Sequence, residues 1–173
     1  MCGIAGLIKL SREPVTQTEI KKMTDAISHR GPDAEGQWVL ENVGLGHRRL
    51  SIIDLSDQAT QPMHSADQRY TLVYNGEIYN FRELRAELER QGYFFQSNSD
   101  TEVVLHSLIE WGVDAIKRFN GMFALALHAK REKNVFLARD RYGVKPLYIM
   151  QQAGEIAFAS EQKAILALPK LTQ

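Results

Sequence analysis

The sequence predicts an α+β fold in which two mainly antiparallel sheets pack face to face, with helices on the outside. Three observations support this prediction: strand patterns outnumber helix patterns, most connections have hairpin length, and the elements carry apolar faces that need partners. The chain has 173 residues, of which 44% are hydrophobic. We therefore expect a single domain with a buried core over residues 1–173.

The first predicted elements are a strand and a helix. Residues 2–9 are mostly apolar and include two glycines, which indicates a buried strand that another backbone approaches closely. Thr16 and Glu19 form a capping-box pattern at the start of a helix. The apolar residues on one face of this helix are Ile20, Met23 and Ile27. The segment at 29–33 contains Gly-Pro and ends the helix in a loop.

Strand patterns dominate the next part of the chain. Strands are predicted at residues 37–41, 43–49 and 69–74, with a polar loop at 56–67. Asn75-Gly76 follows the last of these strands and is the strongest short hairpin signal in the sequence. From its local pattern alone, this dipeptide is therefore expected to form a turn.

Two further helices and a set of strands complete the chain. Asn80 is expected to cap one helix, which stops at Gly92. Ser99 and Glu102 form a second capping-box pattern, and the apolar helix after it runs through Trp111. One antiparallel meander and a short helix from Glu161 are then predicted, with the strands at 122–128, 135–139, 147–151 and 156–159.

Composition narrows the class of protein. The 21 basic and 21 acidic residues balance, and no basic run is present, so no nucleic-acid partner is expected. No apolar stretch approaches the roughly 20 residues that cross a bilayer, and residues 2–7 lack a basic leader, so no membrane association is expected. A single cysteine suits a reducing, cytoplasmic location. The five histidines lack metal-ligand spacing, so no metal site is expected.

The only cysteine, Cys2, becomes the first residue if Met1 is removed. A thiol has a pKa of about 8.5 and an α-amine one of about 7.7–8.0, so the amine can take the thiol proton near neutral pH. Cys2 can therefore be a nucleophile that carries its own general base. The alternative is a small apolar residue in a buried strand, which is the commoner role of a free cysteine.

Six motifs occur in a fixed order along nearly the whole chain. They are residues 1–6 (MCGIAG), 29–33 (HRGPD), 49–54 (RLSIID), 75–80 (NGEIYN), 99–102 (SDTE) and 139–148 (RDRYGVKPLY). Together they resemble the class II glutamine amidotransferase domain, an N-terminal-nucleophile hydrolase, in its asparagine synthetase form. The resemblance implies a four-layer αββα sandwich and the hydrolysis of L-glutamine to glutamate and ammonia.

The resemblance also implies roles for individual residues. Besides the nucleophile Cys2, it assigns Arg49 to the α-carboxylate of glutamine, Asp100 to its α-ammonium, and Asn75 and Gly76 to the oxyanion hole. A guanidinium fork suits a carboxylate, and amide donors suit a developing oxyanion. It further brings Ile52, Ile53 and Glu77 to the substrate. Segments 29–33 and 139–148 are interpreted as structural.

Each of these residues has an alternative role without any ligand. Arg49 follows Arg48 and could be a surface charge, although strand alternation should send the two side chains to opposite faces. Asp100 could simply stabilise a helix N-terminus. Asn75-Gly76 could be an ordinary hairpin turn.

The partner of the predicted reaction is not encoded in these residues. The family's larger enzymes carry a synthetase domain that binds ATP and Mg²⁺, with a phosphate loop of the form Ser-Gly-Gly-x-Asp-Ser, and this string is absent here. No cofactor is therefore expected in this domain, and a synthetase domain or subunit is expected to receive the ammonia. Two alternatives stay open: another acceptor, such as a sugar or a natural-product acid, and a non-catalytic glutamine-binding module. A homodimer is a further expectation.

Overall fold

The computed structural model describes residues 1–50 and 60–171, which form nine strands and five α-helices. The strands are β1 (Gly3–Lys9), β2 (Ala34–Leu40), β3 (Val43–Arg49), β4 (Met63–His64), β5 (Tyr70–Ile78), β6 (Gly121–Ala129), β7 (Asn134–Arg139), β8 (Tyr148–Gln152) and β9 (Glu155–Ala159). The α-helices are α1 (Gln17–Ala26), α2 (Phe81–Arg90), α3 (Asp100–Trp111), α4 (Ala115–Arg118) and α5 (Gln162–Leu166).

The strands form two antiparallel sheets, with orders β2-β3-β1-β9-β8 and β4-β5-β6-β7. Helices α1 and α5 cover the outer face of the five-stranded sheet, and α2 and α3 lie against the four-stranded sheet. Between the sheets lies an apolar layer that includes Ile4, Leu45, Val73, Ala126 and Phe158. The predicted four-layer αββα sandwich is therefore confirmed.

The first helix forms as its sequence predicts. The side chain of Thr16 accepts a hydrogen bond from the Glu19 N–H, and the Glu19 carboxylate accepts one from the Thr16 N–H at 2.8 Å. Ile20, Met23 and Ile27 are fully buried against the five-stranded sheet. The 3.6-residue period of the apolar residues therefore determines which face of α1 packs.

The turn expected at Asn75-Gly76 is wrong, because strand β5 runs straight through it. Asn75 pairs with Ala124 and Gly76 pairs with Phe123 on β6. Neither Asn75 nor Gly76 adopts the positive φ that the hairpin turn requires. A Cβ on Gly76 would lie 2.6 Å from the Met122 carbonyl oxygen, so the glycine is required by a close approach of backbone.

The predicted single meander is also wrong, because β7 and β8 belong to different sheets. Asp140 organises the crossing between them. Its carboxylate accepts hydrogen bonds from the backbone N–H groups of Tyr142, Val144 and Lys145, and from that of Phe123 on β6. These bonds hold the connection in a closed loop that leads to the five-stranded sheet. The short strand β4 also falls inside the loop predicted at 56–67.

Two helix starts differ in detail from their sequence patterns. Asn80 precedes α2, but its side chain donates to the Arg118 carbonyl and accepts from the Asn120 N–H instead of capping the helix. Ser99 does cap α3 by accepting from the Thr101 N–H. Glu102 does not complete that capping box, because its carboxylate binds the preceding loop.

Candidate active site

One pocket collects all the described residues that the sequence analysis assigned to glutamine hydrolysis. It opens where the N-terminus, the end of β3, the middle of β5 and the start of α3 meet. Its lining includes Cys2, Arg49, Asn75, Gly76, Glu77 and Asp100. Ile52 and Ile53 lie outside the described residues, so the structure says nothing about their predicted position.

Cys2 lies immediately before β1, in the wall of this pocket. Its Sγ accepts a hydrogen bond from the Leu50 N–H, with a sulfur–nitrogen distance of 3.4 Å. The Arg30 Nε donates to the Cys2 carbonyl oxygen at 3.0 Å, and the same guanidinium binds Glu161. The segment at 29–33, interpreted from the sequence as structural, thus holds the backbone of the candidate nucleophile.

Arg49 and Arg48 point to opposite faces of β3, as strand alternation predicts. The Arg48 guanidinium forms ion pairs with Asp25 and Glu35 beside α1. Arg49 is only 9% exposed and lines the pocket. A guanidinium can bind a carboxylate through two parallel hydrogen bonds, so a position in the pocket lining is what the role predicted for Arg49 requires.

Asn75 carries one of several buried side-chain atoms that have no hydrogen-bond partner among the described residues, and another, the His47 Nε2, belongs to the same pocket lining. Asn75 is 2% exposed, and its unpaired atom is the donor Nδ2. Leaving a buried donor unpaired costs about 1–3 kcal/mol, so such groups in native proteins call for an explanation. A donor in the wall of a pocket is explained if a ligand oxygen is its partner.

Asp100 is the first residue of α3 and is buried beneath the pocket. Its Oδ2 accepts hydrogen bonds from the Tyr74 hydroxyl at 2.8 Å and from the Ile78 N–H at 3.0 Å. Burial raises the pKa of this carboxyl and the negative charge of Glu77 adds to the rise, while hydrogen bonds from Ile78, Tyr74 and Thr101 offset it only in part. Ser99 provides the cap of α3, so the Asp100 side chain is not needed for capping. It binds residues of β5 instead and lines the pocket.

Sequence reasoning missed several residues that also line the pocket. These are His47, Gln61, Tyr74, Thr101 and Lys145. Burial lowers the pKa of His47 to about 3, so its ring is neutral at pH 7. Alternation along β3 was the available signal for His47, since it lies two residues before Arg49 and shares its face.

Lys145 lies in segment 139–148, which was interpreted from the sequence as purely structural. Its side chain is 7% exposed, and its Nζ lies 3.5 Å from the sulfur of Met1 at the pocket wall. No salt bridge joins it to an acid in the ranges 1–50 and 60–171. The segment therefore also supplies a cation to the pocket.

The loop that leads into α3 depends on Glu102. Its carboxylate accepts hydrogen bonds from the backbone N–H groups of Gln96 and Ser97 and from the Ser97 hydroxyl. Burial raises the pKa of Glu102, but hydrogen bonds from His106, Gln96 and Ser97 outweigh this effect and lower it to about 2. The ionised carboxylate thus stabilises the loop next to Asp100.

Replacing Glu102 by glutamine is expected to lower the free energy of unfolding at pH 7 by about 1–3 kcal/mol. Because the folded-state pKa is depressed, the wild-type advantage is complete above the ordinary pKa of 4.5 and shrinks as the pH falls toward 2. Chemical denaturation at pH 7 and pH 3 measures this. A Glu13→Gln variant, changed at an exposed position in the loop before α1, should behave like wild type, and an equal difference at both pH values would contradict this explanation.

Within 1–50 and 60–171, no three His, Cys, Asp or Glu side chains come close enough together to hold a metal ion. No helix in the same ranges has both the length and the apolar character needed to cross a bilayer.

Comparisons with known proteins agree with the geometry. The model of the glutamine amidotransferase domain family matches residues 1–173. Two asparagine synthetases (glutamine-hydrolysing) of Bacillus subtilis (strain 168), numbers 3 and 1, are each 42% identical to the chain. The matches cover 99% and 96% of this chain but only 28% and 27% of those proteins. The chain thus spans little more than a quarter of these relatives.

A comparison of folds gives a more distant relation. The glutamine phosphoribosylpyrophosphate amidotransferase of B. subtilis superposes with a TM-score of 0.83 at 21% identity, over 96% of this chain and 43% of that chain. This likeness concerns the fold alone. Because the family model matches the whole chain, the chain belongs to the glutamine amidotransferase domain family, and the two B. subtilis sequence relatives are asparagine synthetases.

Proposed function

We propose that this chain hydrolyses L-glutamine to glutamate and ammonia through a thioester on Cys2, after Met1 has been removed. The observation that carries the proposal is the meeting, in one pocket, of a thiol, an unpaired buried amide donor, a buried guanidinium and a buried carboxylate. The thiol matches the side-chain amide of glutamine, and the amide donor matches the oxyanion that develops there. The guanidinium matches the α-carboxylate, and the carboxylate matches the α-ammonium.

The reaction begins with attack of the Cys2 sulfur on the amide carbon. The free α-amine of the processed chain takes the thiol proton and passes it to the departing ammonia. A thioester remains, and water activated by the same amine hydrolyses it to glutamate and restores the thiol. The backbone of Leu50 holds the sulfur at the pocket wall, because its N–H donates to Sγ and its carbonyl oxygen accepts from the thiol.

Recognition of the amino-acid end depends on charge. Arg49 binds the α-carboxylate and Asp100 binds the α-ammonium, with Glu77 at the same wall of the pocket. Hydrogen bonds to charged groups contribute about 1.5–3 kcal/mol each. The distance from this pair of charges to Sγ then selects glutamine over asparagine, whose amide lies one methylene closer to its α-carbon.

Asn75→Ala is expected to lower kcat for ammonia release by roughly 10²–10³-fold with little change in KM, because it removes a donor to the oxyanion. Steady-state assays of ammonia and glutamate measure the effect. Asn134→Ala, an exposed asparagine at the start of β7, is the matched control and should keep full activity. An Asn75→Ala enzyme within threefold of wild type would rule out the oxyanion role.

We further propose that the ammonia is used in an ATP-dependent amidation, such as asparagine formation, by a synthetase domain or subunit in the cytoplasm. The names of the relatives and the small share of their length that the chain spans support this proposal. ATP and Mg²⁺ would then belong to that second unit. Glutamine-dependent asparagine formation by the chain joined to such a unit is the test, with ammonia supplied directly as the control.

A further inference from the structure

We propose that Tyr74 is a positioning residue that orients the Asp100 carboxylate to receive the α-ammonium of glutamine. This inference rests on the proposed function, since it names a residue that acts through one of its binding groups. It concerns the hydroxyl of Tyr74, which belongs to the strand that also carries Asn75.

The position of Tyr74 on β5 makes this contact possible. Its side chain faces α3 and packs in the apolar cluster beneath that helix, whereas the flanking Val73 packs between the sheets. The ring passes over Gly76, because a Cβ added there would lie 2.7 Å from the Tyr74 ring. Glycine at position 76 thus clears the path by which the hydroxyl reaches Asp100.

The hydrogen bonds from Tyr74 and Ile78 reach the same one of the two carboxylate oxygens of Asp100. The Tyr74 hydroxyl and the Ile78 N–H both donate to Oδ2, at 2.8 and 3.0 Å. Two donors on one oxygen fix the plane of the carboxylate. We assign the other oxygen, Oδ1, to the α-ammonium of glutamine.

The backbone of Tyr74 is fixed as firmly as its side chain. The Gln61 side chain accepts from the Tyr74 N–H at 2.6 Å and donates to the Tyr74 carbonyl oxygen at 3.1 Å. The Gln61 side-chain amide thus pairs with the backbone of β5 as a neighbouring strand would, just before β4 begins. Asn75, the proposed oxyanion donor, follows Tyr74 directly in the chain. Tyr74 therefore connects this donor to Asp100, the proposed acceptor of the α-ammonium.

Removing the hydroxyl has an electrostatic consequence. Burial raises the pKa of Asp100, and the bonds from Ile78 and Tyr74 lower it, so loss of the Tyr74 bond raises the pKa further. The protonated carboxyl cannot pair with an ammonium group, so glutamine binding fails at a higher pH than in wild type. Among the described residues, the other titratable or charged groups around the pocket are the N-terminal amine, Cys2, His47, Arg49, Glu77 and Lys145, with Glu102 on the same helix.

The direct test is Tyr74→Phe, which removes only the hydroxyl. We expect the KM for glutamine to rise roughly tenfold or more while kcat stays within about twofold. The acid limb of kcat/KM should also move to higher pH. Tyr93→Phe is the matched control, since the Tyr93 hydroxyl binds Glu110 on the same helix but lies outside the pocket lining.

A second substrate separates positioning from general damage. 4-Carbamoylbutyrate has the amide and a carboxylate of glutamine but no α-ammonium, so Tyr74→Phe should leave its kinetics unchanged. An equal loss of kcat/KM on both substrates, an unchanged KM for glutamine, or an acid limb that does not move would each overturn the proposal.

Binding measurements keep this test independent of turnover. In a Cys2→Ala background, calorimetry should show a roughly tenfold weaker Kd for glutamine when Tyr74→Phe is added, and no change for 4-carbamoylbutyrate. If wild type releases no ammonia but this difference in Kd is present, the proposal that the chain hydrolyses glutamine is wrong, whereas the proposed positioning role of Tyr74 is supported. If glutamine does not bind at all, both proposals are overturned.

Discussion

Ammonia release from glutamine is expected to fall by roughly 10⁴-fold or more when Cys2 is replaced by alanine. The reason is chemical, because Cys2 supplies the only thiol among the described residues that line the pocket. The hydroxyls of Ser99 and Thr101 belong to the start of α3, where Ser99 is occupied as the helix cap. The measurement is ammonia and glutamate production at saturating glutamine.

Glutamine binding is the control for this variant. Arg49 and Asp100 remain in place, so the Cys2→Ala protein should bind glutamine with an affinity close to that of wild type. If both proteins release ammonia at the same rate, the enzyme interpretation is wrong. If wild type binds glutamine but never releases ammonia, the chain is a binding module.

Keeping Met1 on the chain is expected to lower kcat by roughly 10²–10⁴-fold, although the thiol is intact. The nitrogen of Cys2 is then an amide, which cannot accept a proton near neutral pH. Met1 also lies in the pocket lining, with its sulfur against the Lys145 Nζ. A short extension that prevents removal of Met1 produces this form, and mass spectrometry of the N-terminus identifies it.

Thiol accessibility is the control for the extended form. Titration with a small disulfide reagent should detect Cys2 in both forms, since the residue is partly exposed. Loss of activity together with a reactive thiol indicates that the amine is required. Full glutaminase activity with Met1 attached would contradict the mechanism in which the amine is the base.

Local patterns predicted the elements whose structure depends on local interactions. The capping box of α1 and its buried face follow from Thr16, Glu19 and the apolar period, and both are found in the structure. Strand alternation correctly separated Arg48 from Arg49. In each case the determining interactions lie within a few residues of one another or alternate along one strand.

The failures concern contacts between distant parts of the chain. Asn75-Gly76 has the local signature of a turn, but pairing with β6, some 48 residues away, keeps β5 extended. The hairpin of β8 and β9 joins the five-stranded sheet because β9 pairs with β1, about 150 residues earlier in the chain. The contributions of Tyr74, Gln61 and Lys145 to the pocket also depend on the tertiary fold, so no single-sequence pattern indicated them.

The most direct measurement is labelling with a diazoketone analogue of glutamine, followed by peptide mapping. We expect one label per chain, on Cys2, only in the form that has lost Met1, and we expect glutamine to protect against labelling. Labelling at another residue, or equal labelling of the form that retains Met1, would contradict this expectation.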